Sequence, residues 1–449
     1  MLEVLPENLI TLAKACGFPL YVVGGTCRDF LSGLRSLKPD YDICGPVSAE
    51  DFIPVAEKCG FKICGVYKNT GTVKLRCGAD EYEFSSFRSD KYVRGVHRPV
   101  KIYFTDDIML DALRRDFKCN AVYYDICGGQ FVDPLGGIPE IKAGVINTVA
   151  PSVKVFGEDG LRLLRLCRIA GQTGLEPSEE CLKGAAENAY LIKDITAERV
   201  YAELNAILHA DEKYGVKYGH YKGLKLACET GVADYILPEL TAGRGMSQRK
   251  DFHSHDVLEH SLRCVMYSAG DIRLAALLHD IGKPYCKVTS GAYHKHEEEG
   301  ERIAGEILAR LKAPKRLTEE TLRLIALHMY DYDLAAREAK VRRMISANKD
   351  IFFKLMELKQ ADYSACRDDL SEAPAVAKWR KIYSDMVAEN VPFSLKELDV
   401  KGDTLIAEGI PAEKTGLVLK KLLLECAIAP RLNERDKLIS AAKRIAREI

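Results

Sequence analysis

The sequence predicts an α+β protein, with a mixed α/β head at residues 1–150 followed by an all-helical remainder. Three observations carry this. Short runs rich in β-branched and aromatic residues, separated by glycine and polar turns, fill the stretch from Tyr21 to Phe87. Residues 157–170 place Asp159, Arg162, Arg165 and Arg168 three apart, as one side of a helix would, and 171–245 also read as helices. A chain of 449 residues exceeds what one core normally holds, so more than one domain is expected.

Composition narrows the class. With 47% hydrophobic and 29% charged residues, this is an ordinary soluble globular composition. The formal net charge is zero, so any nucleic-acid surface must be local. No apolar run reaches membrane-spanning length, and MLEVLPENLI carries acidic residues where a signal peptide needs basic ones. Fifteen cysteines, none in a Cys-x-x-Cys pair, are expected to be reduced thiols of a cytoplasmic protein.

The head is organised around Tyr21–Asp42, YVVGGTCRDFLSGLRSLKPDYD. A strand, Tyr21 to Val23, turns through Gly24-Gly25 into a helix carrying Arg28 and Asp29, and a second strand presents Asp40 and Asp42. Residues i and i+2 of a strand share a face, so both carboxylates can reach one site. A carboxylate pair suits Mg²⁺, which binds few protein oxygens and fills its shell with water and substrate phosphates. The glycines let a triphosphate approach the backbone, and Arg28 offers a planar fork of donors. Alone, a Gly-Gly is a turn and an Asp-x-Asp is solvated surface. Together they point to metal-dependent phosphoryl or nucleotidyl transfer.

Further along, Ala49–Cys59 reads as a helix, and Phe61–Val66, Thr72–Cys77 and Tyr82–Phe87 as strands. Glu83 is a candidate third carboxylate facing the Asp pair. Arg88–Pro99, RSDKYVRGVHRP, lacks apolar periodicity and is expected to be a mobile loop. In MLDALRRDFKCN, Arg114, Arg115 and Asp116 are placed to contact a ribose and phosphates, and VDPLGGIPEI is a turn-rich exit. Asp159 and Arg162 combine an acceptor with donors, which can read a nucleobase edge or pair on a solvated face.

The set GGTCRD, DYD, EFSSFR, RRDFKCNA, DPLGG and EDGLRLLRLCRIA, in this order, resembles the bacterial class II tRNA nucleotidyltransferases. These are the CCA-adding enzymes, relatives of bacterial poly(A) polymerases. The resemblance implies a template-independent polymerase that restores the tRNA 3′ end from CTP and ATP. It assigns Asp40 and Asp42 to the catalytic metals, and Gly24, Gly25 and Arg28 to the triphosphate. Arg114, Arg115, Asp116 and Asn120 would handle phosphates and ribose. Asp159 and Arg162 would be the amino-acid template for the base, with Arg165 and Arg168 behind them. Lys118 departs from the family, which usually has Thr there. Segment 88–99 matches the family's flexible loop, which the CC-adding branch lacks, and no GRRF-like segment marks an mRNA poly(A) polymerase.

The character changes from His253. Six of the ten histidines fall between 253 and 296, and His328 follows. His260, adjacent His279-Asp280, His296, His328 and Asp362 form an ordered series. Imidazole can bind one metal while the neighbouring carboxylate bridges to a second, and mixed ligation suits Mn, Fe, Ni or Zn. The series resembles the HD phosphohydrolase superfamily, an all-helical fold with a metal centre for phosphoester hydrolysis. By that resemblance it would remove phosphate, or open a 2′,3′-cyclic phosphate, at damaged RNA ends. His253, His255 and His294 are weaker, and at least two of them are expected to be structural or surface residues.

From Lys414 to Arg447 there are nine Lys or Arg against three Asp or Glu, which reads as a basic helical face or a contact for tRNA phosphates. The expected domains are the head at 1–150, a helical neck and body at 151–245, an HD insert at 246–370 and a tail at 371–449. The expected partners are tRNA, CTP and ATP, with no membrane. The competing readings are a tRNA A-adding enzyme, a poly(A) polymerase, an HD phosphohydrolase with an RNA-gripping head, and an RNA-binding regulator with both centres idle. For the HD region alone, a folding or oligomerisation role competes.

Overall fold

A computed structural model describes residues 1–35, 41–93, 96–248 and 254–449, which fall into two units: 1–241 with 309–313, and 242–308 with 314–449. The first unit opens with α1 (Glu7–Ala15), β1 (Tyr21–Val23), α2 (Gly25–Leu31), β2 (Tyr41–Gly45) and α3 (Ala49–Lys58). Ser48 begins α3 by accepting the Asp51 amide, which satisfies one of the helix's first unpaired N–H groups. Next come β3 (Lys62–Tyr67), β4 (Thr72–Cys77), β5 (Asp80–Ser86), β6 (Arg88–Lys91), β7 (Lys101–Phe104), α4 (Ile108–Leu113), β8 (Tyr123–Asp125) and β9 (Gln130–Val132).

Seven strands form one sheet in the order β3-β4-β5-β2-β1-β8-β9. Only β2 and β5 run parallel in it; the other neighbours are antiparallel. Period-two alternation sets the faces: Tyr41 and Ile43 of β2 are buried and Asp42 between them is exposed. Stacking of Phe52 of α3 on Phe84 of β5, centroids 3.8 Å apart, seats α3 on the sheet. The expected loop at 88–99 is corrected: Arg88–Lys91 is a strand paired with Lys101–Phe104. Arg88 donates to the Thr70 carbonyl and to Asp90, so tertiary contacts hold a run whose own β-propensity is low.

Helices follow: α5 (Gly137–Ala143), α6 (Ser152–Glu158), α7 (Leu161–Thr173), α8 (Glu179–Asn188), α9 (Ala197–Leu208), α10 (Ala210–Tyr214), α11 (Gly219–Glu229), α12 (Ala233–Ile236) and α13 (Pro238–Thr241). Leu163, Leu164, Leu166 and Cys167 of α7 are fully buried, so α7 is the axis of this part.

The second unit is helical: α14 (Val257–Met266), α15 (Arg273–Leu278), α16 (Gly282–Ser290), α17 (starting at His296), α18 (Lys315–Leu327), α19 (Glu338–Ala347), α20 (Phe352–Arg367) and α21 (Pro374–Ala388). Asp256 caps α14 by accepting the Glu259 amide at 2.7 Å. The last helices, α22 (Gly402–Ala407), α23 (Ala412–Cys426) and α24 (Arg435–Glu448), share their own core around Leu405, Val418, Leu422 and Leu438.

Candidate functional site

A cavity of about 880 Å³ opens in the first unit. Gly24, Gly25, Arg28, Asp42, Arg114, Arg115, Asp116, Asn120, Asp159, Arg162, Arg165 and Arg168 all line it. Gly24 sits at φ +77°, and a Cβ built there would stand 3.2 Å from Asp42 Oδ2. The glycine is required twice, for its backbone angle and for the approach of the carboxylate. Asp40 lies outside the described residues. Asp42 is exposed and lines the cavity with hard oxygen, the donor type that Mg²⁺ takes.

Glu83 is placed differently from expectation. It stands opposite Asp42 in the strand register, yet it does not line the cavity, and its carboxylate faces Lys74 at 3.8 Å. Two exposed charges on the sheet surface find each other there, and the expected third catalytic carboxylate is not brought into the site. Lys118, the family departure, pairs with Glu140 at 2.8 Å and likewise lies outside the lining.

The cationic side chains are held by buried acids. Arg28 is 4% exposed; its Nε and Nη2 donate to Asp29 Oδ1 at 3.0 and 2.7 Å, and its Nη1 donates to Asn120 at 2.7 Å. The Tyr214 hydroxyl donates to the other Asp29 oxygen. Asp111 is fully buried and anchors both Arg114 Nε at 2.7 Å and Arg115 Nη2 at 3.0 Å, with the Tyr123 hydroxyl at 2.7 Å. Burial alone would raise its pKa, but Arg115 and Arg114 outweigh burial and bring it down to about 2. Asp111 escaped the sequence reading, and Asp29 was named there without a role. The spacing of Asp111 ahead of Arg114 and Arg115, i to i+3 and i+4, was the signal available.

Asp159 does not spiral down a helix with the arginines. It has extended backbone, φ −146°, in the break between α6 and α7, where it accepts the Leu161 amide at 3.0 Å and faces Arg199 at 3.1 Å. Arg162 pairs with Glu158 rather than Asp159, at 2.9 Å, and also donates to the Val155 and Arg114 carbonyls. Arg165 reaches Asp116, and Arg168 reaches Glu203 at 2.7 Å.

The second unit gathers the other predicted ligands. The donor atoms of His260, His279 and Asp362 lie within 4.8 Å of one another, and those of Asp280, His296 and His328 form a second such group. Asp280 joins them. Its Oδ2 is 3.4 Å from His260 and 3.3 Å from His279, and its Oδ1 is 3.2 Å from His296 and 3.7 Å from His328.

His279, His296 and His328 each place Nδ1 against the carbonyl three residues earlier, at 2.8, 2.9 and 2.6 Å. Carbonyls only accept, so the ring proton sits on Nδ1 and a neutral ring turns its Nε2 lone pair inward. Burial pushes the His328 imidazole down to about 4, keeping it neutral as a ligand must be. Burial opposes both charges of the His279–Asp280 pair, but Asp280 raises the His279 imidazole well above its ordinary value, and His279 and Lys283 hold the Asp280 carboxyl well below the usual range, so His279 must give up a proton to bind a metal. Imidazole nitrogens and carboxylates bridged by one aspartate fit a pair of transition-metal ions. His255 faces Asp368 at 3.6 Å and His294 is exposed, so neither joins; His253 lies outside the described residues.

Comparison with known proteins gives three family matches: the Poly A polymerase head domain at 20–147, the probable RNA and SrmB-binding site of polymerase A at 174–243, and the HD domain at 253–363. Over 363 residues the chain is 30% identical to the A-adding tRNA nucleotidyltransferase of Deinococcus radiodurans, covering 77% of this chain and 76% of that protein. It is 30% identical to the multifunctional CCA protein of Neisseria gonorrhoeae, over 67% of this chain and 71% of the relative. The crystal structure of the Bacillus stearothermophilus CCA-adding enzyme in complex with CTP shares the fold, with a TM-score of 0.67 at 22% identity over 98% of both chains.

Proposed function

The chain belongs to the tRNA nucleotidyltransferases of the CCA-adding and A-adding kind, and from that premise we propose that it rebuilds the tRNA 3′-terminal CCA from CTP and ATP, releasing pyrophosphate. One observation carries the reading: a glycine turn, an acid suited to Mg²⁺, phosphate-binding arginines and Asp159 with Arg162 line one cavity. In this reaction the RNA 3′-oxygen bonds to the α-phosphorus as the bond to pyrophosphate breaks. Asp42, with Asp40, would hold Mg²⁺, which when bound activates the hydroxyl and neutralises charge on the leaving group.

The chain's own groups do the positioning. Gly24 leaves room for phosphates against the backbone, and Arg28 and Arg114 supply donors to their oxygens. Asp116 and Asn120 serve the ribose. Asp159 and Arg162 read the base edge after exchanging their present partners for it. Asp42→Ala should lose nucleotide incorporation while still shifting tRNA in a gel; an active Asp42→Ala ends this reading. Addition of a single A is the alternative that the Deinococcus relative favours.

The shared Asp280 supports a second activity at the HD centre, phosphohydrolysis of phosphate or 2′,3′-cyclic phosphate at RNA 3′ ends. Such ends lack the free hydroxyl that addition needs. His260, His279 and Asp362 would hold one divalent ion and His296 and His328 another, with Asp280 between; bound ions supply a hydroxide nucleophile. His279→Ala should stop release of phosphate from a 3′-phosphorylated RNA, and undiminished release would end this part. No helix among the described residues is long and apolar enough to cross a membrane, and all fifteen cysteines are free.

A further inference from the structure

Lys359 of α20 carries a charge, yet it is only 7% exposed. It stands one turn ahead of Asp362 on the same helix, so the two share a face. Its Nζ donates to the backbone carbonyl of His328 at 2.7 Å. That carbonyl belongs to the residue that ends α18, where a helix leaves its last C=O groups without partners of its own. Trp379 of α21, fully buried, sets its ring centroid 5.9 Å from the same ammonium.

The turn after His328 is held from the other side as well. Asp331 has left-handed backbone, φ +54°, and its carboxylate accepts from Trp379 Nε1 at 3.1 Å and pairs with Lys378 at 2.8 Å. His328 is thus pinned before and behind. A buried ammonium is a costly pin: burial draws the Lys359 pKa down against the pull of Asp362, Asp331 and Asp333. An apolar side chain of similar length would serve the fold as well or better. What the cation does reach is both ligand groups. Its helix carries Asp362 of one group, and its ammonium holds His328 of the other.

His328 is the ligand whose placement is most exacting. Its Nε2 is 3.7 Å from Asp280 Oδ1, the longest of the four distances between Asp280 and the imidazoles. Metal–ligand distances must hold to within about 0.2 Å, so a small drift of the α18 end opens this group.

We propose that Lys359 is a positioning residue that sets His328 for a divalent cation shared with His296 and Asp280. This role rests on the two-ion reading of the HD centre above. Lys359 touches no ion; it acts through the His328 backbone.

The test measures Mn²⁺ bound per full-length chain by equilibrium dialysis, with the melting temperature of the metal-free protein alongside. Asp280→Ala sets the ground level, which includes any ion held at Asp42. Wild type should hold two ions above that level. In Lys359→Met one of the two should bind about tenfold more weakly and the other as before, with no fall in the metal-free melting temperature. Lys359→Arg, which keeps a donor of similar reach, should bind both. His328→Ala should weaken the same ion, and adding Lys359→Met to it should change nothing further. A merely structural lysine weakens both ions together and lowers the melting temperature. That outcome, unchanged binding in Lys359→Met, an arginine variant no better than methionine, or a further loss in the double variant overturns the role of Lys359 alone. A wild type that holds no more Mn²⁺ than Asp280→Ala overturns the two-ion reading and this role with it.

Discussion

Arg165 donates twice to one oxygen of Asp116, from Nε at 2.8 Å and from Nη2 at 2.5 Å. The other oxygen accepts the Phe117 amide at 2.8 Å and the Asn120 side chain at 3.1 Å. Asn120 in turn accepts from Arg28. Burial by itself would raise the Asp116 pKa, but Arg165 reverses this and holds the carboxyl far below its usual range. The acid thus links Arg28 of α2 to the helix that carries Arg162.

Asp116→Asn removes that charge while keeping the shape. Arg165 then loses its partner, and a stability loss of about 1–3 kcal/mol is expected in urea unfolding. Incorporation of CTP and ATP should fall together, because ribose and phosphates are common to both. A loss confined to one nucleotide would contradict the assignment.

Asp111 predicts an acid response. Its folded pKa, about 2, lies below the unfolded value of about 4. Its contribution is therefore complete above pH about 4 and is lost as pH falls towards about 2. Asp111→Asn should be less stable at neutral pH and show a shallower loss of stability across that window, read by urea melts at fixed pH.

Gly24→Ala meets both obstacles at once, the positive-φ backbone and the 3.2 Å approach to Asp42. The backbone alone, at φ +77° and ψ −137°, costs a residue with a Cβ about 1–3 kcal/mol. Incorporation should drop well beyond what that loss explains, because Asp42 must move. Steady-state kinetics beside a thermal melt separate the two effects.

At the HD centre, added Mn²⁺ or Ni²⁺ should raise the melting temperature of wild type and a chelator should reverse it. Asp280→Ala should abolish the shift, since that carboxylate serves both ligand groups. Binding should weaken as pH falls, because His279, held above its ordinary value, and finally His328, near 4, take up protons in competition with the metal. His294→Ala, an exposed position outside both groups, should behave as wild type.

Much of this was legible because the chemistry is local. Gly24, Arg28 and Asp42 lie within one strand-turn-helix-strand segment, where alternation and glycine geometry speak directly. The residues of the proposed HD centre were legible as an ordered series spread over about a hundred residues, on or just past the ends of α14, α15, α17, α18 and α20. What failed to show was set by distant contacts. Three-residue spacing ran straight through the break at Asp159, because a periodicity does not register one extended residue. Arg88–Lys91 has no strand composition, and its pairing comes from Lys101–Phe104 and from anchors at Thr70 and Asp90. Strand register placed Glu83 beside Asp42, yet its carboxylate lies 3.8 Å from Lys74 and outside the cavity lining.

The most direct measurement incubates the protein and Mg²⁺ with three tRNAs, ending before CCA, after C and after CC, each given CTP, ATP or both. Products are sized at single-nucleotide resolution. The account predicts two C additions, then one A, then a stop. Extension of only the CC-ended tRNA by one A would make the protein an A-adding enzyme, and long A tails would make it a poly(A) polymerase. No addition to any of the three would contradict the central claim.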